Sequence, residues 1–238
     1  MIIDPHNVIH TVGDDPSVPD SAAQLVVDMD RGGVARCGVY CTDNQVVAEA
    51  VKKYPDRLWG MGWIIPSDFG ACEELEKCLK VLKFKGLKLN MTKSQAVLRP
   101  NSVMNEIFAM LIDYDAVLLA HSTEGDHIFS MPYQFEQVAW AFPKLKIIMA
   151  HIGAPDDCEE AIRVATWNKN VYLGSHAAPG SVIRQAVKRA GAHKVILGTD
   201  WPYQDFEVEI KKMEMAVPDP ADLKLVLGEN TRRMFNFD

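Results

Sequence analysis

The chain reads as an α/β protein, a (β/α)8 barrel, and three observations predict it. Strand-like and helix-like patterns alternate from one end to the other. Eight such pairs fit into 238 residues without a long linker or a low-complexity stretch. Four short apolar runs end in a residue that can bind a metal or move a proton: Ile2-Ile3-Asp4-Pro5-His6, Leu118-Leu119-Ala120-His121, Ile147-Ile148-Met149-Ala150-His151 and Val195-Ile196-Leu197-Gly198-Thr199-Asp200. A Val/Ile/Leu run of this length reads as a strand buried on both faces. A His or Asp at its carboxyl end has no packing reason to be there. In a parallel barrel those ends converge on one mouth, where active sites are built.

The elements follow in order. Ile2 to Val8 is the first strand, and an Asp/Pro-rich loop from Gly13 to Asp20 leads to a helix near Ser21 to Arg31, capped by Asp20 or Ser21 and stopped by Gly32-Gly33. Arg36 to Cys41 is the second strand. Asp43 to Tyr54 is helical, with Val46, Val47, Ala50 and Val51 on one face. Leu58 to Ile65 is the third strand, and a helix capped by Asp68 runs to about Leu82. Phe84 to Asn90 is the fourth strand, and a helix from Asn101 or Ser102 runs to Asp113. Ala116 to His121, Leu145 to His151, Val171 to Gly174 and Lys194 to Thr199 are strands five to eight. Helices at Gln134 to Phe142, Asp156 to Trp167 and Ser181 to Ala190 separate them, and Phe206 to Met215 and Ala221 to Phe235 close the chain. The rival is an open doubly wound sheet, but the first turn, His6-Asn7-Val8-Ile9-His10, lacks the glycines that fold uses. The expectation is a single (β/α)8 TIM barrel domain over 1–238 with a C-terminal helix.

Composition narrows the function. Hydrophobic residues make up 48% and charged residues 24%, which is ordinary for a globular chain. A net charge of −7 argues against a nucleic-acid surface. There is no charged-then-apolar leader and no apolar run near 18 residues, so export and membrane spanning are both disfavoured. The five cysteines, without a CxxC pair, fit reduced thiols of a cytoplasmic protein.

Several pieces together resemble the amidohydrolase superfamily, in the amidohydrolase-2 branch that contains aminocarboxymuconate-semialdehyde decarboxylase. They are Ile2-Ile3-Asp4-Pro5-His6, Gly86-Leu87-Lys88-Leu89, Leu119-Ala120-His121, Ala150-His151-Ile152-Gly153, Leu197-Gly198-Thr199-Asp200-Trp201-Pro202 and Gly228-Glu229-Asn230-Thr231-Arg232. The resemblance covers nearly the whole chain. It implies one divalent metal, usually zinc with manganese as the other candidate, held by His6, His121 and Asp200, with His151 as the catalytic histidine. Metal-bound water would be the nucleophile, and Asp200 a ligand or the base that takes its proton. One departure stands out: the second His of the strand-one pair falls on Val8. Asp4, which alternates to the same side as His6, or His10 from the loop can complete the set; otherwise the site works without a metal, as lactonases of this superfamily do. Where relatives often carry a His after the fourth strand, this chain has Asn90.

Lys88, Asn90 and Arg99 are the candidate substrate contacts, because a cation near the mouth suits a substrate carboxylate. Lys93 and His176 are further candidates for the mouth, Trp201 for a pocket wall or for packing on the last helices, while His127 and His193 read as loop residues. The leading reading is a metal-dependent hydrolase of a small amide, ester or lactone. The alternatives are a non-oxidative decarboxylase of an aromatic or unsaturated acid, a metal-free enzyme, and a barrel without catalysis. The expected partner is a small, carboxylate-bearing molecule, and the family resemblance adds a homo-oligomer.

Overall fold

The computed structural model describes residues 1–9, 21–122 and 128–237. The Gly13–Asp20 loop, the Asp20 cap, His10 and His127 lie outside the described residues. Eight strands form one sheet in sequence order: β1 (Ile2–Val8), β2 (Val34–Tyr40), β3 (Leu58–Trp63), β4 (Gly86–Leu89), β5 (Val117–His121), β6 (Lys146–Ala150), β7 (Val171–Gly174) and β8 (Val195–Ile196). Every neighbouring pair is parallel. Between them lie α1 (Ser21–Gly32), α2 (Asn44–Lys53), α3 (Ala71–Glu76), α4 (Met91–Ser94), α5 (Ser102–Asp113), α6 (Pro132–Ala141), α7 (Cys158–Trp167) and α8 (Gly180–Ala190). α9 (Phe206–Ala216), α10 (Pro220–Lys224) and α11 (Asn230–Met234) complete the chain. No helix among the described residues is long and apolar enough to cross a membrane.

Strand alternation sorts the core into two regions. Leu87, Leu89, Leu118, Ala120, Ile147 and Met149 pack outward beneath the helices. Ile3, Met61, Val117, Leu119, Ile148 and Ile196 point inward and fill the barrel, with Phe235 and Phe237 packed against them. The Phe237 ring lies 4.8 Å from Trp59 and under the Arg36 guanidinium at 4.1 Å, so the C-terminal end stoppers the base of the barrel. The interior is therefore solid below, and only its upper layer is left for chemistry.

The helices begin where short polar caps allow. Asp43 accepts from the Gln45 N–H at the start of α2, and Asn101 from the Met104 N–H at the start of α5. The third helix starts at Ala71 rather than after Asp68, because Gly70 turns through the left-handed region at φ 84°. It then widens into a π turn at Lys77–Val81. α4 was not expected. It exists because the Asn90 side chain accepts from the Lys93 N–H and caps it. The closing helix is not one rod from Ala221 to Phe235, since a π turn at Leu225–Glu229 interrupts it.

The largest difference is β8, expected over Lys194 to Thr199 and present only as Val195–Ile196. The Leu197 N–H bonds to the Val226 carbonyl in the π turn instead of to a neighbouring strand. The barrel therefore closes between β8 and β1 by other means. Val8 donates to the Trp201 carbonyl and Asp200 to the His6 carbonyl. Asp4 accepts from the Thr199 N–H at 2.9 Å and the Thr199 hydroxyl at 2.6 Å. Asn7 joins the same knot through the Thr199 hydroxyl and the Gly38 carbonyl.

Two outcomes follow for stability. Phe237→Ala should lower the unfolding free energy by about 3–5 kcal/mol, as deletion of a buried aromatic does, read as a lower urea midpoint. Thr199→Val should cost about 1–3 kcal/mol because it leaves part of the Asp4 carboxylate unpaired in the core, and the same melts would report it.

Candidate active site

The carboxyl ends of the strands carry the site. His6 ends in the barrel axis, completely buried. His121 closes β5, His151 follows β6 and His176 follows β7, all buried. Their rings form one cluster: His6–His176 centroids are 4.0 Å apart, His121–His151 4.5 Å, His151–His176 5.5 Å and His6–His121 5.8 Å. Asp200 completes it, with Oδ1 3.3 Å from His6 Nε2. The structure thus brings together His6, His121, His151 and Asp200, as the strand ends predict.

Burial keeps three of these histidines neutral. His6, His121 and His176 are all held well below the usual histidine range by desolvation, and the nearby Lys88 ammonium pushes each in the same direction. They present lone pairs, not positive charge. His151 Nδ1 lies 3.2 Å from the His176 carbonyl, which can only accept, so Nδ1 carries the ring proton in the neutral form and Nε2 is the basic nitrogen. The turn bearing His151 is held by the Ser122 hydroxyl, which donates to the Ala150 carbonyl and accepts from the Gly153 N–H.

The backbone is strained here. His151 has φ 68° and Asp200 φ 60°, a region costly for residues with side chains. Strain of this kind persists where surrounding bonds over-determine it, and both residues are tied by the bonds described. His176 needs a different concession: it fills the space above Gly198 and Gly174, where an added Cβ would stand 1.9 Å and 2.3 Å from its ring.

Above the cluster opens a cavity of about 380 Å³, lined by Tyr40, Trp63, Asn90, Lys93, His121, His151 and Asp200 among others. The Tyr40 and Trp63 rings lie nearly parallel, 8° apart with centroids at 6.0 Å, and give one wall a flat aromatic face. The Tyr40 hydroxyl bonds to His6 Nε2 at 2.8 Å and donates to Asp200 Oδ1 at 3.4 Å. Val8 also lines the cavity.

Two expectations change. Asp4 faces the seam, not the cavity centre: Oδ1 accepts from the His6 N–H and Oδ2 takes both Thr199 bonds, so its lone pairs are spent on closing the barrel. Burial pushes its carboxyl up to about 7 against those hydrogen bonds, which pull it down. Arg99 does not reach the cavity. It is exposed in a separate cleft with Ser67, Gln95 and Asn101, because α4 and the left-handed Gln95 turn redirect the loop. Trp201 takes the second of its two readings: it clusters with Phe206 of α9 and with Leu25 and donates to Asp28, away from the cavity. Lys88 is wholly buried under the cavity, its ammonium 5.4 Å from the Tyr40 ring centroid. Asn90 lines the wall and Lys93 is an exposed cation at the rim.

The sequence reading does not reach Tyr40 or Trp63, and it offers His176 for the mouth, whereas the ring is buried with His6 and does not line the cavity. The signal for Tyr40 and Trp63 was the one that found His121: a side chain with a polar atom at the carboxyl end of an apolar strand, in register to point inward.

The geometry of a metal seat is partial. Among the described residues no three His, Cys, Asp or Glu side chains stand close enough to share one ion. His6 and Asp200, at 3.3 Å, do have the spacing of two ligands on one ion, and the neutral ring of His6 is in the form that can bind one.

The amidohydrolase family model matches residues 11–237, and the chain belongs to that family of enzymes. No curated protein sequence matches it. Among solved structures, 5-carboxyvanillate decarboxylase from Sphingomonas paucimobilis superposes with a TM-score of 0.77 at 17% identity, covering 100% of this chain and 99% of that one. Dihydroxybenzoic acid decarboxylase from Polaromonas, with manganese and 2-nitroresorcinol bound, gives 0.77 at 17% identity over 99% and 96%. A probable 2-pyrone-4,6-dicarboxylic acid hydrolase from Acinetobacter baumannii, with citric acid bound, gives 0.73 at 19% identity over 99% of each. At these identities the likeness is one of fold.

The titrations oppose each other. Asp4 keeps a proton in the folded state that the unfolded chain releases between about pH 4 and 7, so its contribution to stability declines as pH rises through that window. The three histidines refuse protons that the unfolded chain takes up below about 6.5, so their contribution declines as pH falls. An Asp4→Asn variant should therefore lose stability more steeply than wild type from pH 6.5 to 4, measured by urea unfolding at each pH. A parallel profile would contradict the assignment.

Proposed function

We propose that this enzyme removes CO₂ from a small planar carboxylic acid, aromatic or unsaturated, at the mouth of the barrel. The observation that carries this reading is the Tyr40–Trp63 face beside Asp200 in a cavity of about 380 Å³. That volume suits a single-ring ligand. The manganese-bound decarboxylase fold neighbour with its nitroresorcinol inhibitor supports it.

The ring of the substrate stacks on the aromatic face, and Lys93 at the rim and Lys88 beneath favour its negative charge. One divalent ion, manganese or zinc, would be held by His6 and Asp200 with His121 beside them, and would supply a positive centre for substrate oxygens. His151, whose Nε2 faces away from the His176 carbonyl, carries the proton. As the bond between the ring carbon and the carboxylate breaks, its electron pair goes to the ring, the acid delivers the proton to that carbon and CO₂ departs. The acid is reloaded from solvent through the open mouth. The neutral His6, His121 and His176 orient and exclude water rather than donate protons.

A second reading is hydrolysis of a small cyclic ester carrying a carboxylate, which the likeness to the pyrone dicarboxylate hydrolase favours. Asp200 then acts as the base for water.

Supplying hydroxybenzoates and pyrone carboxylates to manganese-loaded protein separates the two. CO₂ release with no ring opening supports decarboxylation; acid release without CO₂ replaces it by hydrolysis. In either case Asp200→Asn should lower kcat by about 10²–10⁴-fold, with the melting profile unchanged.

A further inference from the structure

The ring of donors around His6 contains an oxygen that the sequence pattern does not announce. Val8 offers the cavity only methyl groups. Its register partner on β2 is Tyr40, and Tyr40 sends its hydroxyl across to the point where Val8 contributes nothing. Three donor atoms from three strand ends then form a triangle: Tyr40 Oη to His6 Nε2 2.8 Å, His6 Nε2 to Asp200 Oδ1 3.3 Å, and Tyr40 Oη to Asp200 Oδ1 3.4 Å.

We propose that Tyr40 is the third protein ligand of the divalent ion, so that the seat is His6, Asp200 and Tyr40 rather than a second histidine. This rests on the metal reading given under Proposed function. Ligand atoms on a tetrahedral ion with bonds of about 2.0–2.2 Å stand roughly 3.3–3.6 Å apart. Two sides of the triangle already match. The third is a hydrogen bond, and it lengthens by roughly half an ångström when an ion replaces the proton between its ends.

Charge favours the same set. Tyr40 binds through its oxygen and releases its proton to solvent as the bond forms. One phenolate and one carboxylate then balance a divalent cation, leaving the buried seat neutral, which low dielectric surroundings prefer. The Lys88 ammonium, 5.4 Å from the Tyr40 ring, steadies the phenolate from below. Nitrogen and oxygen donors in this ratio suit zinc and manganese alike.

The position is held firmly enough to serve. Tyr40 closes β2, is buried, and stacks on both His6 at 5.3 Å and Trp63 at 6.0 Å. The ring packs against both neighbours while its hydroxyl meets the other donors.

The test is a titration of metal-stripped full-length protein with zinc. Two things are read: metal per chain by elemental mass spectrometry after desalting, and the near-ultraviolet difference band of a metal-bound phenolate. The expected result is one zinc per chain with a band equivalent to one tyrosine. Tyr40→Phe should lose the band and bind zinc at least roughly tenfold more weakly, while Tyr203→Phe, at the same cavity, keeps the band. Wild type that binds one zinc without a phenolate band, or Tyr40→Phe that binds as tightly as wild type, overturns the proposal and leaves the metal reading standing. Wild type that takes up no metal overturns both. Should Tyr40→Phe fail to fold by circular dichroism, the wild-type band decides alone.

Discussion

The seam between the first and last strands is the constraint on which this site depends. β8 contributes only two residues to the ladder, so the barrel cannot be closed there by a full row of backbone bonds. Two backbone bonds, from Val8 to Trp201 and from Asp200 to His6, and a buried carboxyl close it together. Asp4 takes two bonds from Thr199 and one from the His6 N–H. His6 lies two residues beyond Asp4 and Asp200 one beyond Thr199, so the bonds that shut the barrel also set the distance between the two groups proposed to hold the ion. A buried carboxyl with its hydrogen bonds made is costly to unpair, which is why a short seam can hold a strained turn at Asp200.

Electrostatics follow from that closure. The floor of the barrel's upper layer is buried, and four histidines, an aspartate, a tyrosine and a lysine share that layer. Several positive charges cannot coexist at these separations in a medium of low dielectric. Desolvation and the Lys88 charge keep three of the rings neutral. A layer of neutral imidazoles beside one carboxylate is suited to binding a cation or orienting an anion above it. The ammonium of Lys88 biases the cavity toward negatively charged substrates without standing in it.

Much of this was legible in the sequence. Apolar runs ending in His6, His121, His151 and Asp200 declare both the strands and the mouth, because nothing in packing calls for a polar residue at the end of a buried strand. Tyr40 and Trp63 obey the same rule and were passed over, since aromatic residues also serve as core. Asp4 shares the inward parity of His6 and so resembled a ligand; pairing with Thr199, 195 residues away in the chain, removes it from the cavity. Arg99 was assigned by proximity to the fourth strand. A helix of four residues, capped by Asn90, turns the loop away before Arg99 is reached.

The amino-acid sequence by itself determined the order of elements, the parallel barrel and four of the strand ends that meet in the candidate site. Each of these follows from local periodicity, and local periodicity is written in consecutive residues. The tertiary structure alone decided that Asp4 shuts the barrel, that His176 fits over Gly174 and Gly198, and that Tyr40 reaches His6 and Asp200. Those outcomes rest on distances between β1, β2, β7 and β8. Such distances depend on register and seam closure, which no segment of the chain encodes without the others.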